Sequence, residues 1–146
     1  MSRLYRFARL PWADQRLLIK SIWLLWRMHI GLWLLPSRTL RRLSASLTRS
    51  TPASRPGDDG AIDRVAWALA AASRVVPGTT CLSRALGSQI LLAERGVQAD
   101  LHIGVATDRH GFRAHAWVKS GDRIVGGAPE EIEQFTSLPP LGGEPQ

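Results

Sequence analysis

The side chains in this sequence with the clearest capacity for covalent chemistry are one cysteine and one histidine. Cys81 is the only cysteine of the chain, and three of the four histidines, His102, His110 and His115, follow it. A thiolate is a strong nucleophile, and a neighbouring imidazole can take its proton and later give it to a leaving amine. Cys81 and His115 are therefore the candidate catalytic pair.

The sequence predicts that Cys81 begins a helix. Thr79 or Thr80 can cap it, apolar residues continue at helical spacing to about Arg95, and Gly96 supplies a left-handed end. The first turn of a helix combines the positive end of the dipole with unpaired backbone N–H groups. Both favour a thiolate, and the N–H groups can also hold an oxyanion.

His115 is predicted on the middle strand of an antiparallel meander. Beyond the helix the apolar period changes from 3.6 residues to 2, which is typical of half-buried strands. The alternation predicts three strands, at about 101–106, 112–119 and 123–126. A helix followed by such a meander makes an α+β fold.

Three motifs in this half of the chain resemble a known family. They are Cys-Leu-x-Arg-Ala-Leu at 81–86, Gly-Val-x-Ala-x-Leu-x-Ile-Gly-Val at 96–105 and Ala-His-Ala-Trp-Val at 114–118. Together they resemble the leader peptidases of lasso-peptide biosynthesis, which are transglutaminase-like cysteine proteases. The resemblance covers roughly residues 79–138. It implies a transglutaminase/papain-like core in which the Cys-bearing helix packs on the meander.

The resemblance also implies an activity, and with it partners. Such enzymes remove the leader from a lasso precursor peptide, with Cys81 as the nucleophile that forms a thioester and His115 as general base and acid. No cofactor or metal is expected. The implied partners are the leader segment of the precursor, a small winged-helix leader-binding protein and an ATP-dependent lasso cyclase. The alternative left open is a catalytically degenerate scaffold module in a peptide-maturation complex.

A third catalytic residue is not assigned. Family members often place an Asp near the end of the third strand, where this chain has Gly126-Gly127. Asp122 is near in sequence, but with a two-residue turn at Ser120-Gly121 it would lie on the order of 13 Å from His115, too far for a hydrogen bond. A backbone carbonyl near Gly126 stays open, as do three side chains, Asp100, Asp108 and His102.

Charge is distributed very unevenly along the chain. Residues 1–56 carry eleven Arg and Lys against the single acid Asp14, so +10, whereas residues 57–146 carry eight against eleven, so −3. A basic segment can meet anionic lipid or an acidic protein. Basic and aromatic residues do not interleave on any predicted strand, so nucleic acid is not an expected partner.

The strongest apolar run, residues 17–35, lies in the basic segment. Charges within the run argue against a membrane-spanning helix. We expect a core helix with a narrow polar stripe formed by Arg16, Lys20 and Arg27. Contact with a membrane surface or a partner through residues 12–35 is the alternative.

These patterns divide the chain into three parts. We predict a basic, apolar helical region over 1–48, including a short helix at 37–47, then a linker over 49–60, then the protease core over 61–146 beginning with a helix at 61–76. A single cysteine permits no internal disulfide and no cysteine-based zinc site, which favours a cytoplasmic protein.

Overall fold

The computed structural model describes residues 2–34, 38–39, 42, 58–125 and 132–137. Within these ranges the helices are α1 (Ser2–Ala8), α2 (Trp12–Leu34), α3 (Asp59–Ser73) and α4 (Cys81–Ala93). The strands are β1 (Asp100–Asp108), β2 (Gly111–Ser120), β3 (Arg123–Val125) and β4 (Thr136–Ser137). The predicted α+β class is confirmed. Most of the predicted helix at 37–47, and the predicted linker up to residue 57, lie outside the described residues.

The strands form one antiparallel sheet in the order β3-β2-β1-β4. The predicted meander is therefore confirmed, with His115 on the central strand β2 opposite Gly104 of β1. The short strand β4 was not expected. It pairs with β1 at Gly104 and Val105, which closes the sheet on the side away from β3.

The predicted turn between β2 and β3 is wrong by one residue. Ser120 pairs with Arg123, so the two central turn residues are Gly121 and Asp122. Gly121 has a φ of 58°, and a hairpin turn with glycine in its first central position is the type II′ turn, which suits the right-handed twist of paired strands. The correction moves Asp122 from a position paired with Lys119 into an exposed turn.

The helices share one hydrophobic core with the sheet. Leu17, Leu25 and Met28 of α2 belong to the same buried cluster as Leu69 of α3 and Val118 of β2. A second group of contributors comes from α4: Ala85, Leu86, Leu91 and Leu92. The Cys81-bearing helix is thus held between the helical layer and the sheet.

Helix α3 begins two residues earlier than predicted. Asp58 caps it, and its Oδ1 accepts a hydrogen bond of 3.2 Å from the Ala61 N–H. Helix α4 ends close to the predicted position, and Gly96 has the expected left-handed φ of 71°. The loop between α3 and α4 contains Gly78, whose φ of 73° turns the chain toward Cys81.

Helix α2 differs from its prediction on the solvent side. Its inner face is a core face, as expected, but the outer face carries exposed tryptophans and isoleucines among the basic residues. Arg16, Lys20 and Arg27 are exposed as predicted, but the exposed face is wider than the predicted narrow stripe, because the core covers only one side of the helix. Within the described ranges, no helix is long and apolar enough to cross a membrane.

Candidate active site

Cys81 is the first residue of α4, as predicted, and the cap is Thr80. The Thr80 Oγ1 accepts from the Ser83 N–H at 3.2 Å, and the Ser83 Oγ accepts from the Thr80 N–H at 2.9 Å, which makes a reciprocal capping box. The N–H groups of Cys81 and Leu82 have no acceptor within the helix. No described residue accepts from them, so beside the half-buried thiol they can donate to an oxygen that gains negative charge.

His115 is held on β2 by stacking. Its ring lies 6.1 Å from the Trp117 ring and 5.4 Å from the Phe135 ring, with interplanar angles of 20° and 29°. The imidazole is half-buried, and its Nε2 atom is buried without a hydrogen-bond partner among the described residues. A buried, unpartnered ring nitrogen is a free position for a proton donor or acceptor brought by a ligand.

Cys81 and His115 line the same cavity. Its volume is about 20 Å³, room for about one water molecule. The lining residues are Cys81, Arg84, Ala85 and Ser88 from α4, His115 and Ala116 from β2, and Val125 from β3. The fold thus joins the two residues that the sequence paired, one from a helix terminus and one from a strand.

The cavity lies beyond the last described pair of β2 with β3. Val118 pairs with Val125, and His115 and Ala116 precede that pair on β2. Side chains alternate across a strand, so Ala116 faces the helical core while His115 shares the other face with Trp117. Both residues nevertheless line the one cavity at the start of α4.

No described carboxylate hydrogen-bonds to His115. Asp108 ends β1 in an ion pair with Arg113, 2.9 Å between Oδ2 and Nη2, and also accepts from the His110 N–H. Asp100 stands opposite Lys119 at the far end of the β1–β2 ladder. Asp122 lies in the exposed turn beyond the Ser120–Arg123 pair, which is itself five strand positions from His115, and so is more than about 16 Å away. The segment with Gly126-Gly127 lies outside the described residues.

His102 reaches the site only through an intermediate ring. It stacks on Trp117 with 5.9 Å between centroids, and Trp117 in turn stacks on His115. Burial, and then the nearby positive charge of Lys119, lower the pKa of His102, while Asp100 acts weakly in the opposite sense. His102 is therefore biased toward its neutral form, and it packs on the Trp117 ring without forming an ion pair with a described residue.

Two residues at the site were given no role by the sequence analysis. Arg84 lies one helical turn after Cys81, and its Nε is buried without a described hydrogen-bond partner. The i, i+3 spacing from Cys81 was the available signal for it. Phe135 had no such signal, because only the pairing of β4 with β1 brings it to His115.

The described residues contain no group of three or more His, Cys, Asp or Glu side chains placed to hold a metal ion. The family model described as the transglutaminase-like superfamily matches residues 24–139. The match begins inside α2 and includes both Cys81 and His115. Among curated proteins and solved structures, none matches the chain significantly.

Proposed function

The chain belongs to the transglutaminase-like superfamily, which includes cysteine proteases, and from that premise we propose that it is a cysteine peptidase that removes a leader peptide. The observation that carries the proposal is the shared cavity of Cys81 and His115 at the start of α4. Acyl transfer through sulfur needs a nucleophilic thiol and a base. The Cys81 thiol lies at a capped helix N-terminus, and the His115 imidazole has a buried nitrogen without a described partner.

The reaction follows from these two groups. His115 takes the proton of the Cys81 thiol, and the sulfur attacks the scissile carbonyl carbon to form a tetrahedral oxyanion beside the first N–H groups of α4. The C–N bond then breaks, the amine leaves with the proton held by His115, and a thioester remains. Water, losing its proton to His115, attacks the thioester, frees the leader carboxylate and restores the thiol.

The substrate class comes from the resemblance of three motifs to lasso-peptide leader peptidases. We propose a lasso precursor as the substrate, cut so that the freed amine can be joined to a side-chain carboxylate by a separate ATP-dependent cyclase. A small winged-helix protein would hold the leader. The single cysteine supports placing this reaction in the cytoplasm.

The test is cleavage of a precursor peptide by the full chain, with and without the leader-binding protein, followed by mass spectrometry. We expect Cys81→Ala to lower kcat/KM by about a thousandfold or more and His115→Ala by a similar factor. His110→Ala is the matched control, because His110 lies in the exposed turn between β1 and β2. Cleavage at the wild-type rate by Cys81→Ala would show that the nucleophile is wrong.

A catalytically degenerate scaffold is the second candidate. The observation that favours it is that no described carboxylate orients His115. A histidine without an orienting acid can still act as a base, since that acid refines the ring position and does not supply the nucleophile. Precursor that binds the chain tightly but is never cut, even with the leader-binding protein present, would support the scaffold.

A further inference from the structure

The outer face of α2 carries a continuous row of large apolar side chains in solvent. We call this the outer Trp row, and its members are Trp12, Ile19, Trp23, Trp26, Ile30 and Trp33. They are between 44% and 86% exposed, and from Ile19 onward their spacing alternates between four and three residues. That spacing keeps them on one line along the helix. The row is about 30 Å long, from the 1.5 Å rise per residue.

The core fixes the rotation of α2, so the row cannot turn inward. Leu17, Leu25 and Met28 are buried against α3 and α4, and the Ser21 hydroxyl donates to the Leu17 carbonyl at 2.8 Å on the same inner face. Rotating the helix would expose this inner face. Contiguous exposed apolar surface of this kind marks an interaction site.

The charges around the row are positive. Arg16 and Arg27 are exposed and form no ion pair with a described residue, and Lys20 pairs with Glu94. Asp14, the single acid of residues 1–56, is neutralised by Arg64 at 3.2 Å. The surface therefore combines tryptophan with uncompensated cationic charge, and its ligand must supply apolar surface and negative charge together.

A second copy of the chain does not meet that requirement. Two outer Trp rows packed together would bring Arg16 and Arg27 of one copy, which form no ion pair with a described residue, against the basic flank of the other. Like charges at these flanking positions oppose self-association. Tryptophan rings also favour the zone where lipid headgroups meet acyl chains, and arginine binds lipid phosphates there.

We infer that the outer Trp row docks the protein on an anionic membrane surface, with α2 lying in the plane of the interface. The indole rings enter the headgroup region, and Arg16 and Arg27 contact lipid phosphates. The core face of the same helix keeps the protein body attached. The inference does not rest on the proposed peptidase activity.

The test is binding of the full chain to vesicles, followed by sedimentation and by tryptophan fluorescence. We expect binding and a blue shift with vesicles of phosphatidylglycerol and phosphatidylcholine, weaker binding at high salt, and little binding to phosphatidylcholine alone. The triple change Trp23→Ala, Trp26→Ala and Trp33→Ala should weaken binding by about tenfold or more. Trp67→Ala, which removes an exposed tryptophan from α3, is the matched control and should bind as the wild type does.

Arg16→Gln with Arg27→Gln gives a second test that leaves the apolar row intact. This variant should lose the preference for phosphatidylglycerol. Equal binding by the wild type and the triple Trp variant would overturn the inference, as would no binding to either kind of vesicle. A second copy of the chain or an acidic protein would then be the candidate occupant of the outer Trp row. Cys81→Ala should bind vesicles like the wild type, which keeps this result separate from any failure of the peptidase proposal.

Discussion

His115 and Gly104 face each other across the β1–β2 ladder, and the Trp117 and Phe135 side chains occupy the space that a Cβ on Gly104 would take. A Cβ built there would lie 2.7 Å from the Trp117 Cη2 and 2.8 Å from the Phe135 Cβ. The same two rings stack on His115. The missing side chain of one residue thus permits the aromatic packing that holds the imidazole of the other.

Gly104→Ala should therefore displace the rings. We expect a loss of about 1–3 kcal/mol in the free energy of unfolding and a fall in cleavage rate at temperatures where the variant is still folded. Urea unfolding and precursor cleavage measure the two effects. Gly60→Ala is the control, because its nearest neighbour would be the Asp58 Oδ1 at 3.4 Å within the first turn of α3. Unchanged stability in Gly104→Ala would contradict the packing argument.

The reactivity of Cys81 separates a nucleophile from an inert thiol. We expect the native chain to react quickly with iodoacetamide at neutral pH, and His115→Ala to slow that reaction by about tenfold or more, because the base is lost. Mass spectrometry of quenched samples gives the rates. If Cys81 is labelled only after denaturation, and at the same rate in the wild type and His115→Ala, the scaffold hypothesis is favoured.

Thr80 should matter for both stability and chemistry. Thr80→Ala removes the acceptor for the Ser83 N–H, so we expect a loss of about 1 kcal/mol in the free energy of unfolding and slower alkylation of Cys81 as the first turn loosens. Thr79→Ala is the matched control, since the Thr79 hydroxyl only donates to the Val76 carbonyl. If both variants lower stability equally but leave the labelling rate unchanged, the cap does not position Cys81.

Replacing Arg84 should lower activity while leaving stability almost unchanged. Its Nε is buried without a described partner, and replacing a buried, unsatisfied group costs little stability. We expect Arg84→Gln to leave the melting temperature nearly unchanged and to lower kcat/KM by about tenfold or more, as loss of a charged hydrogen bond to substrate would. A large drop in melting temperature would instead assign Arg84 to the fold.

His102 should make stability depend on pH. Its pKa is lowered from the ordinary value of 6.5, chiefly by burial, so the unfolded chain takes up the proton more readily than the folded one. The stabilising contribution is complete above the unfolded pKa and is lost as pH falls through the folded pKa. Melting temperatures from about pH 7.5 to about pH 5 should fall less in His102→Gln than in the wild type. His110→Gln, in the exposed turn, should keep the wild-type slope, and equal slopes in all three would contradict the assignment.

Local signals in the sequence determined most of the elements that carry the site. Three of these signals act over a short range. The threonine before Cys81 caps the helix, Gly96 ends it through its left-handed backbone conformation, and the alternation that begins at Leu101 marks a strand. They placed Cys81 at a helix start and His115 on a middle strand. The β2–β3 register failed by one residue, because Gly121 can be either central residue of a two-residue turn until its φ is known.

The tertiary structure decided what local pattern does not encode. Helix α2 is apolar almost all round, so only packing on α3 and α4 selected Leu17 and Leu25 for the core and left the tryptophans in solvent. Strand β4 has only two residues, too few to show an alternation of apolar and polar residues. It brings Phe135 to His115 by pairing with β1. Arg84 joins Cys81 and His115 at one cavity because the start of α4 packs against β2. The buried face of α2, the position of Phe135 and the position of Arg84 all depend on contacts between residues far apart in sequence. The spacing of residues along the chain does not predict such contacts.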